Sequence, residues 1–221
     1  MKTVQTINAL LLTGLALASA PAFSAVSSFD VDSDGWVADS LGDAVAPLSW
    51  LENGGVPGGH VLIGDIATGE DNYFVAPEKF LGNQSGFLSG WLSFDLKTEP
   101  TYNDLSSYYA ADVILSGNGL TAVFATGSNP LSNVWTSYSI PLAASSWKLN
   151  SLTGDAVSDT DFASILGNLT ALKIRGEFWY GPEVAYLDNV KMSAVPVPPA
   201  FALFATGLIS WFGAFKRRRS A

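Results

Sequence analysis

Between Phe29 and Met192 the chain alternates short apolar runs with clusters of Gly, Asn, Asp, Ser and Pro. Leu92, Phe94 and Leu96 alternate with Ser93, Asp95 and Lys97, and Leu120, Ala122 and Phe124 alternate with Thr121 and Val123. Tyr138, Ile140 and Leu142 share a face, and Leu172, Ile174 and Phe178 oppose Lys173, Arg175 and Glu177. A period of two over such short runs predicts half-buried antiparallel strands. The breaks at Asn53–Gly59 and Gly117-Asn-Gly119 carry turn chemistry. One stretch changes period: from Asp159 to Asn168 the spacing of Phe162, Ile165 and Leu166 predicts a short helix with Asp159 available as its cap. The body is therefore expected to be all-β, an antiparallel β-sandwich of jelly-roll type with one short helix.

The two ends have a different pattern. Lys2 precedes an apolar stretch from Ala9 to Ala18, followed by Ala18-Ser-Ala20-Pro-Ala22-Phe-Ser-Ala25. That is the layout of a secretory signal peptide, addressed to the translocon and signal peptidase over residues 1–25. Pro21 disfavours a cut after Ala20, which leaves Ala22 or Ala25. At the other end, Val195-Pro196-Val197-Pro198-Pro199 leads into an uncharged run, Ala200 to Phe215, and then Lys216-Arg217-Arg218-Arg219. Sixteen residues at ~1.5 Å each span about 24 Å, a short transmembrane helix, with the cations holding its end in the cytoplasm. The middle, 26–194, is one domain.

This tail resembles the PEP-CTERM sorting signal of exopolysaccharide-making Gram-negative bacteria. It departs from that pattern in having Val195-Pro196-Val-Pro198-Pro199 where the family name spells Pro-Glu-Pro. The resemblance implies an exosortase that cuts near Pro196–Pro199. It also implies transient residence in the inner membrane, then delivery to the cell surface or matrix, with exopolysaccharide as a partner there. An ordinary uncleaved anchor is the alternative.

Charge narrows the partners of the middle domain. All twenty acidic residues lie within 26–194 against six basic ones, a formal charge of −14. Nucleic acid and anionic lipid are repelled by such a surface. There is no Cys, hence no disulfide framework. The one His, His60, has no triad partners in sequence, and no Gly-x-Ser-x-Gly elbow, zinc spacing or phosphate loop is present. A non-enzymatic protein is expected.

Several motifs in series carry a second resemblance: Tyr73–Gly82, Gly90-Trp-Leu-Ser-Phe94, Asp112–Leu120, Asp161-Phe162, Leu166–Arg175 and Leu187-Asp-Asn-Val190. In this order and spacing they resemble the laminin IV type A (laminin B) domain over about 73–193. The family implies a non-catalytic extracellular β-sandwich with a structural or adhesive role. The opening Phe29–Trp36 is similar to the start of galactose-binding-like jelly rolls, including carbohydrate-binding modules. That similarity implies a structural Ca²⁺ joining the first strand to the last, with Asp30 and Asp188 in the acidic positions. Asp30, Asp32 and Asp34 also form a D-x-D-x-D-G run, whose oxygens suit Ca²⁺. An EF-hand loop is incomplete, since its twelfth position is Leu41. Asp188 is either an acid on the face of Val190 and Met192 or the mark of a strand bulge. For a glycan-binding role, aromatics near turns are the candidates: Trp50, Tyr102, Tyr108, Tyr109, Trp179 and Tyr180. Trp36, Trp91, Trp135 and Trp147 are expected to pack in the core or at edges.

Overall fold

The computed structural model describes residues 24–40, 46–64, 71–101, 107 and 109–195. The signal-like residues up to Phe23, the whole tail from Pro196, and Tyr102 and Tyr108 lie outside these. Among the described residues no helix is long and apolar enough to cross a membrane.

The alternation expected from sequence is realised as two antiparallel sheets. The strands are β1 (Ser24–Ser27), β2 (Val37–Ser40), β3 (Ala46–Pro47), β4 (Ser49–Leu51), β5 (His60–Gly64), β6 (Asn72–Val75), β7 (Trp91–Pro100), β8 (Val113–Gly117), β9 (Leu120–Phe124), β10 (Thr136–Pro141), β11 (Lys148–Leu149), β12 (Leu169–Arg175) and β13 (Glu183–Ser193). One sheet runs β10-β7-β13-β5-β4, with β1 also on β13; the other runs β11-β9-β8-β12-β6-β2-β3. Leu92, Phe94 and Leu96 of β7 are buried, as are Ala185, Leu187, Val190 and Met192 of β13. They share one core cluster with Val113 and Leu115 of β8, Leu172 and Ile174 of β12, and Phe74 of β6. Burying side chains of this kind contributes roughly 1.5–3 kcal/mol each against the ordering entropy, so a single continuous core suffices without disulfides.

β13 is the hub. β7 follows one edge of it along nearly its whole length, so β5, on residues 184–187, and β1, on residues 190–193, share the other edge. The register against β7 slips between Asp188 and Lys191, and Asn189 takes a left-handed φ of 52°. This is the bulge alternative for Asp188. The extra residue lets Val190 and Met192 face the core while Asp188 pairs with Asp95 on the other face. Because β1 lies on β13 with Ser24 opposite Ser193, the chain enters and leaves the domain side by side. β1 begins at Ser24, within the segment expected to be leader.

Local signals account for the remaining elements. Asn118 (φ 50°) and Gly119 (φ 74°) join β8 to β9 in a two-residue turn whose handedness matches strand twist. The helix α1 (Asp159–Gly167) buries Phe162, Ile165 and Leu166. Its cap is Ser158 rather than Asp159: the Ser158 hydroxyl oxygen accepts the Asp161 N–H at 3.1 Å and its O–H donates to the Asp161 carboxylate at 2.7 Å. A hydroxyl that both accepts and donates satisfies this terminus better than a carboxylate one residue later.

Candidate functional site

At one end of the sandwich three connections converge: the segment before β8, the β9–β10 loop and the β12–β13 loop. Between them lies a cleft of about 400 Å³ whose lining includes Tyr109, Asp112, Ser128, Asn129, Arg175 and Trp179. Its floor is a buried polar network. Arg175 is 1% exposed; it donates to Asp112 Oδ1 at 3.4 Å, stands 4.0 Å from Asp71, and stacks over the Phe178 ring at 4.6 Å. Asp112 is held in turn by the Thr126 N–H and hydroxyl, both at 2.7 Å. Sequence alternation put Arg175 and Glu177 on the solvent side, yet both are buried. Arg175 ends β12 opposite Tyr73 and is enclosed by Asp112 and Asp71, while Glu177, just past the strand, accepts both the backbone and side-chain N–H of Asn72.

The β12–β13 loop is fastened from inside. Glu183 is 3% exposed, and its Oε1 accepts the N–H groups of Phe178 and Trp179, the latter at 2.9 Å. Its Oε2 finds no hydrogen-bond donor among the described residues. Burial pushes the Glu183 carboxyl up to about 7, against the lowering effect of the two amides. Trp179 is half-buried, with its indole N–H donating to Thr98 Oγ1 at 3.2 Å. Tyr180, next on the loop, is 60% exposed, and Tyr109 across the cleft is 74% exposed.

A second cluster sits at the β13 bulge. Asp188 is 0% exposed although it faces away from the core, because the loop from Gly54 to Gly59 lies over it. Its two oxygens accept the Val56 N–H at 2.6 Å and the Asn189 N–H at 2.7 Å. A side chain at Gly55 would run into Asp188 and the Gly59 carbonyl, which fixes glycine there. Asp30 lies against Gly58 on the same loop. Burial, with Asp95 and Asp30 nearby, raises the Asp188 carboxyl to about 6 despite the two amides. Two of the four expected Ca²⁺ ligands, Asp30 and Asp188, thus meet at this loop. The other two are engaged locally: Asp32 accepts the Asp34 N–H at 2.7 Å, and Asp34 pairs with Lys79. Among the described residues no three His, Cys, Asp or Glu side chains gather as a metal-holding group.

The same loop is stapled at its other end by an aromatic cluster. Trp135, expected in the core or at an edge, is half-buried beside His60 (ring centroids 5.7 Å) and donates its indole N–H to the Gly54 carbonyl at 3.0 Å. Tyr186 stands 5.5 Å from His60, with Lys97 over its ring at 4.0 Å. Burial lowers the His60 pKa. Of the sugar-stacking candidates, Tyr109 and Trp179 come together in the cleft, with Tyr180 on its rim loop. Trp50 does not join them; it lies in β4 and donates to the Phe29 carbonyl at 2.7 Å.

The family model for Laminin B (Domain IV) matches residues 73–200. The chain belongs to the laminin B family. The chain is 32% identical over 187 residues to human laminin subunit gamma-1, covering 80% of this chain and 10% of that one. It is 36% identical over 186 residues to laminin subunit gamma-2 of Equus caballus, covering 79% of this chain and 14% of that one. The chain thus spans only a small part of these relatives' length. In three dimensions the L4b domain of human laminin alpha-2 superposes with a TM-score of 0.63 at 13% identity, over 78% of this chain and 97% of that domain, which shows the shared fold. The cleft, the Asp188 junction and the aromatic staple all lie on this laminin B sandwich.

Glu183 gives the site a measurable pH signature. Its folded pKa, about 7, lies above the ordinary 4.5, so the fold binds the extra proton between these values and stability falls as pH rises through that window. Glu183→Gln keeps an acceptor for the two amides and removes the charge. Thermal melts are expected to place it close to wild type at pH 5 and roughly 1–3 kcal/mol more stable at pH 8.

Proposed function

We propose that this chain is an exported, non-enzymatic surface or matrix protein whose laminin B domain plays a structural or adhesive role outside the cell. The observation that carries the reading is the order of parts: a leader-like apolar segment, a laminin B sandwich, and a Pro-rich apolar tail ending in four cations. The chain passes the translocon and is cut by signal peptidase. It is then held in the inner membrane by residues 200–215 with its basic end in the cytoplasm, until an exosortase cuts near Pro196–Pro199 and sends it to the surface among exopolysaccharide. Of the two candidate leader cuts, Ala22 is favoured, because Ala25 lies inside β1 opposite Met192 and a cut there would remove half the strand. The non-catalytic reading is supported by His60, which is enclosed by the Trp135 and Tyr186 rings rather than set beside a nucleophile.

A second reading is favoured by one observation, the meeting of Tyr109 and Trp179 in one cleft. Aromatic faces beside hydroxyl and amide groups suit the mixed apolar and polar surface of a sugar, so the domain is also proposed to bind exopolysaccharide there. A structural Ca²⁺ is proposed between Asp30 and Asp188.

Intact mass of the protein from its host is expected to correspond to a start at Phe23 and to lack Arg217–Arg219. A mass retaining the basic cluster would overturn the sorting step. For the metal, calorimetric titration of the chelator-treated protein with Ca²⁺ at pH 7.5 is expected to show binding heat and a raised melting temperature, both lost in Asp188→Asn. No heat and no shift would remove the ion from the account.

A further inference from the structure

We propose that the Tyr109–Trp179 cleft takes a neutral sugar and rejects uronates and other acidic sugars; this rests on the glycan-binding reading above. The cleft would take an acidic sugar only if its cation had charge to spare. Among the described residues of its lining Arg175 is the one cation, and it is already answered: Asp112 accepts from it at 3.4 Å, Asp71 stands 4.0 Å away, and its planar face lies on Phe178. A sugar carboxylate entering here would meet two aspartates with the same guanidinium and would have to be desolvated beside them. The domain's formal charge of −14 adds long-range repulsion to polyanions.

The rest of the lining suits a neutral ring. Tyr109 stands largely free in solvent and Trp179 is held from behind by Thr98 and by the Glu183-fastened backbone, so one aromatic is adaptable and the other rigid. Ser128 and Asn129 provide uncharged hydroxyl and amide groups that can exchange hydrogen bonds with sugar hydroxyls. A volume of about 400 Å³ is at the small end for a small-molecule site and has room for about one or two rings. The cleft is therefore sized for a short stretch of neutral glycan.

The test is calorimetric binding of the full chain, in a detergent without a sugar head group, to gluco-, galacto-, manno- and xylo-configured neutral trisaccharides and to trigalacturonate. At least one neutral trisaccharide is expected to bind and trigalacturonate is not. Tyr109→Ala, at an exposed position, is expected to weaken that binding at least about tenfold, whereas Trp91→Ala, at the far end of β7, leaves it unchanged. Tyr109-dependent binding of trigalacturonate as tight as that of the neutral sugars would overturn the selectivity and leave glycan binding standing. Neutral-sugar binding that survives Tyr109→Ala would overturn the cleft as the site and likewise leave glycan binding standing. Failure of every trisaccharide to bind would overturn both.

Discussion

The fold closes on one buried carboxylate. β13 carries β7 on one edge, but its other edge is divided between β5 and β1, and the division falls at the bulge. A sheet edge interrupted in this way leaves backbone N–H groups that water no longer reaches, and each unsatisfied one costs about 1–3 kcal/mol. Asp188 supplies acceptors for two of them, Val56 from the covering loop and Asn189 from the bulge itself. Asn189 completes the closure by donating from its side chain to the Val56 carbonyl and to Asp95 at 2.9 Å. The raised carboxyl pKa is the cost of burying this acid, and the two amides only partly offset it. Without that acceptor the Val56 and Asn189 amides lose their partner where the 54–59 loop crosses the bulge. The position of the cleft depends in turn on the same strand, since Glu183 at the start of β13 fastens the loop that carries Trp179.

The sequence spoke clearly wherever a single strand or helix decided the outcome. Leu92, Phe94 and Leu96 declared the inner face of β7, and Phe162, Ile165 and Leu166 declared that of α1. Asp188 beside Val190 and Met192 announced an irregularity because an acid broke an apolar period, and the bulge resolves it. What alternation does not encode is what covers the outer face. Arg175 and Glu177 are polar and still buried, because partners distant in sequence, Asp112 and Asp71 for one and Asn72 for the other, meet them at the end of β12. Trp135 and His60 likewise belong to a staple that exists only once the 54–59 loop is laid on the sheet. The D-x-D-x-D run looked like one site and divides in space, Asp30 toward Asp188 and Asp34 toward Lys79. Tyr109 and Trp179 were legible as turn aromatics, but their meeting depends on sheet order, which no local pattern specifies.

These features separate the stable part of the molecule from the part available for recognition. The core and the Asp188 junction are buried, and the hydrogen bonds of the junction hold the covering loop to β13. The cleft end keeps Tyr109 and Tyr180 in solvent above a floor where one buried guanidinium serves two aspartates. A domain with six cations against twenty acids repels polyanions.

Native-state hydrogen exchange of the Val56 and Asn189 amides tests the junction most directly. The account predicts strong protection of both in the wild type, approaching that of the β13 ladder, and its loss at these two positions in Asp188→Ala while the β8–β12 pairing stays protected. A Val56 amide that exchanges as fast as an open loop in the wild type, or protection unchanged by removing the carboxylate, would contradict it.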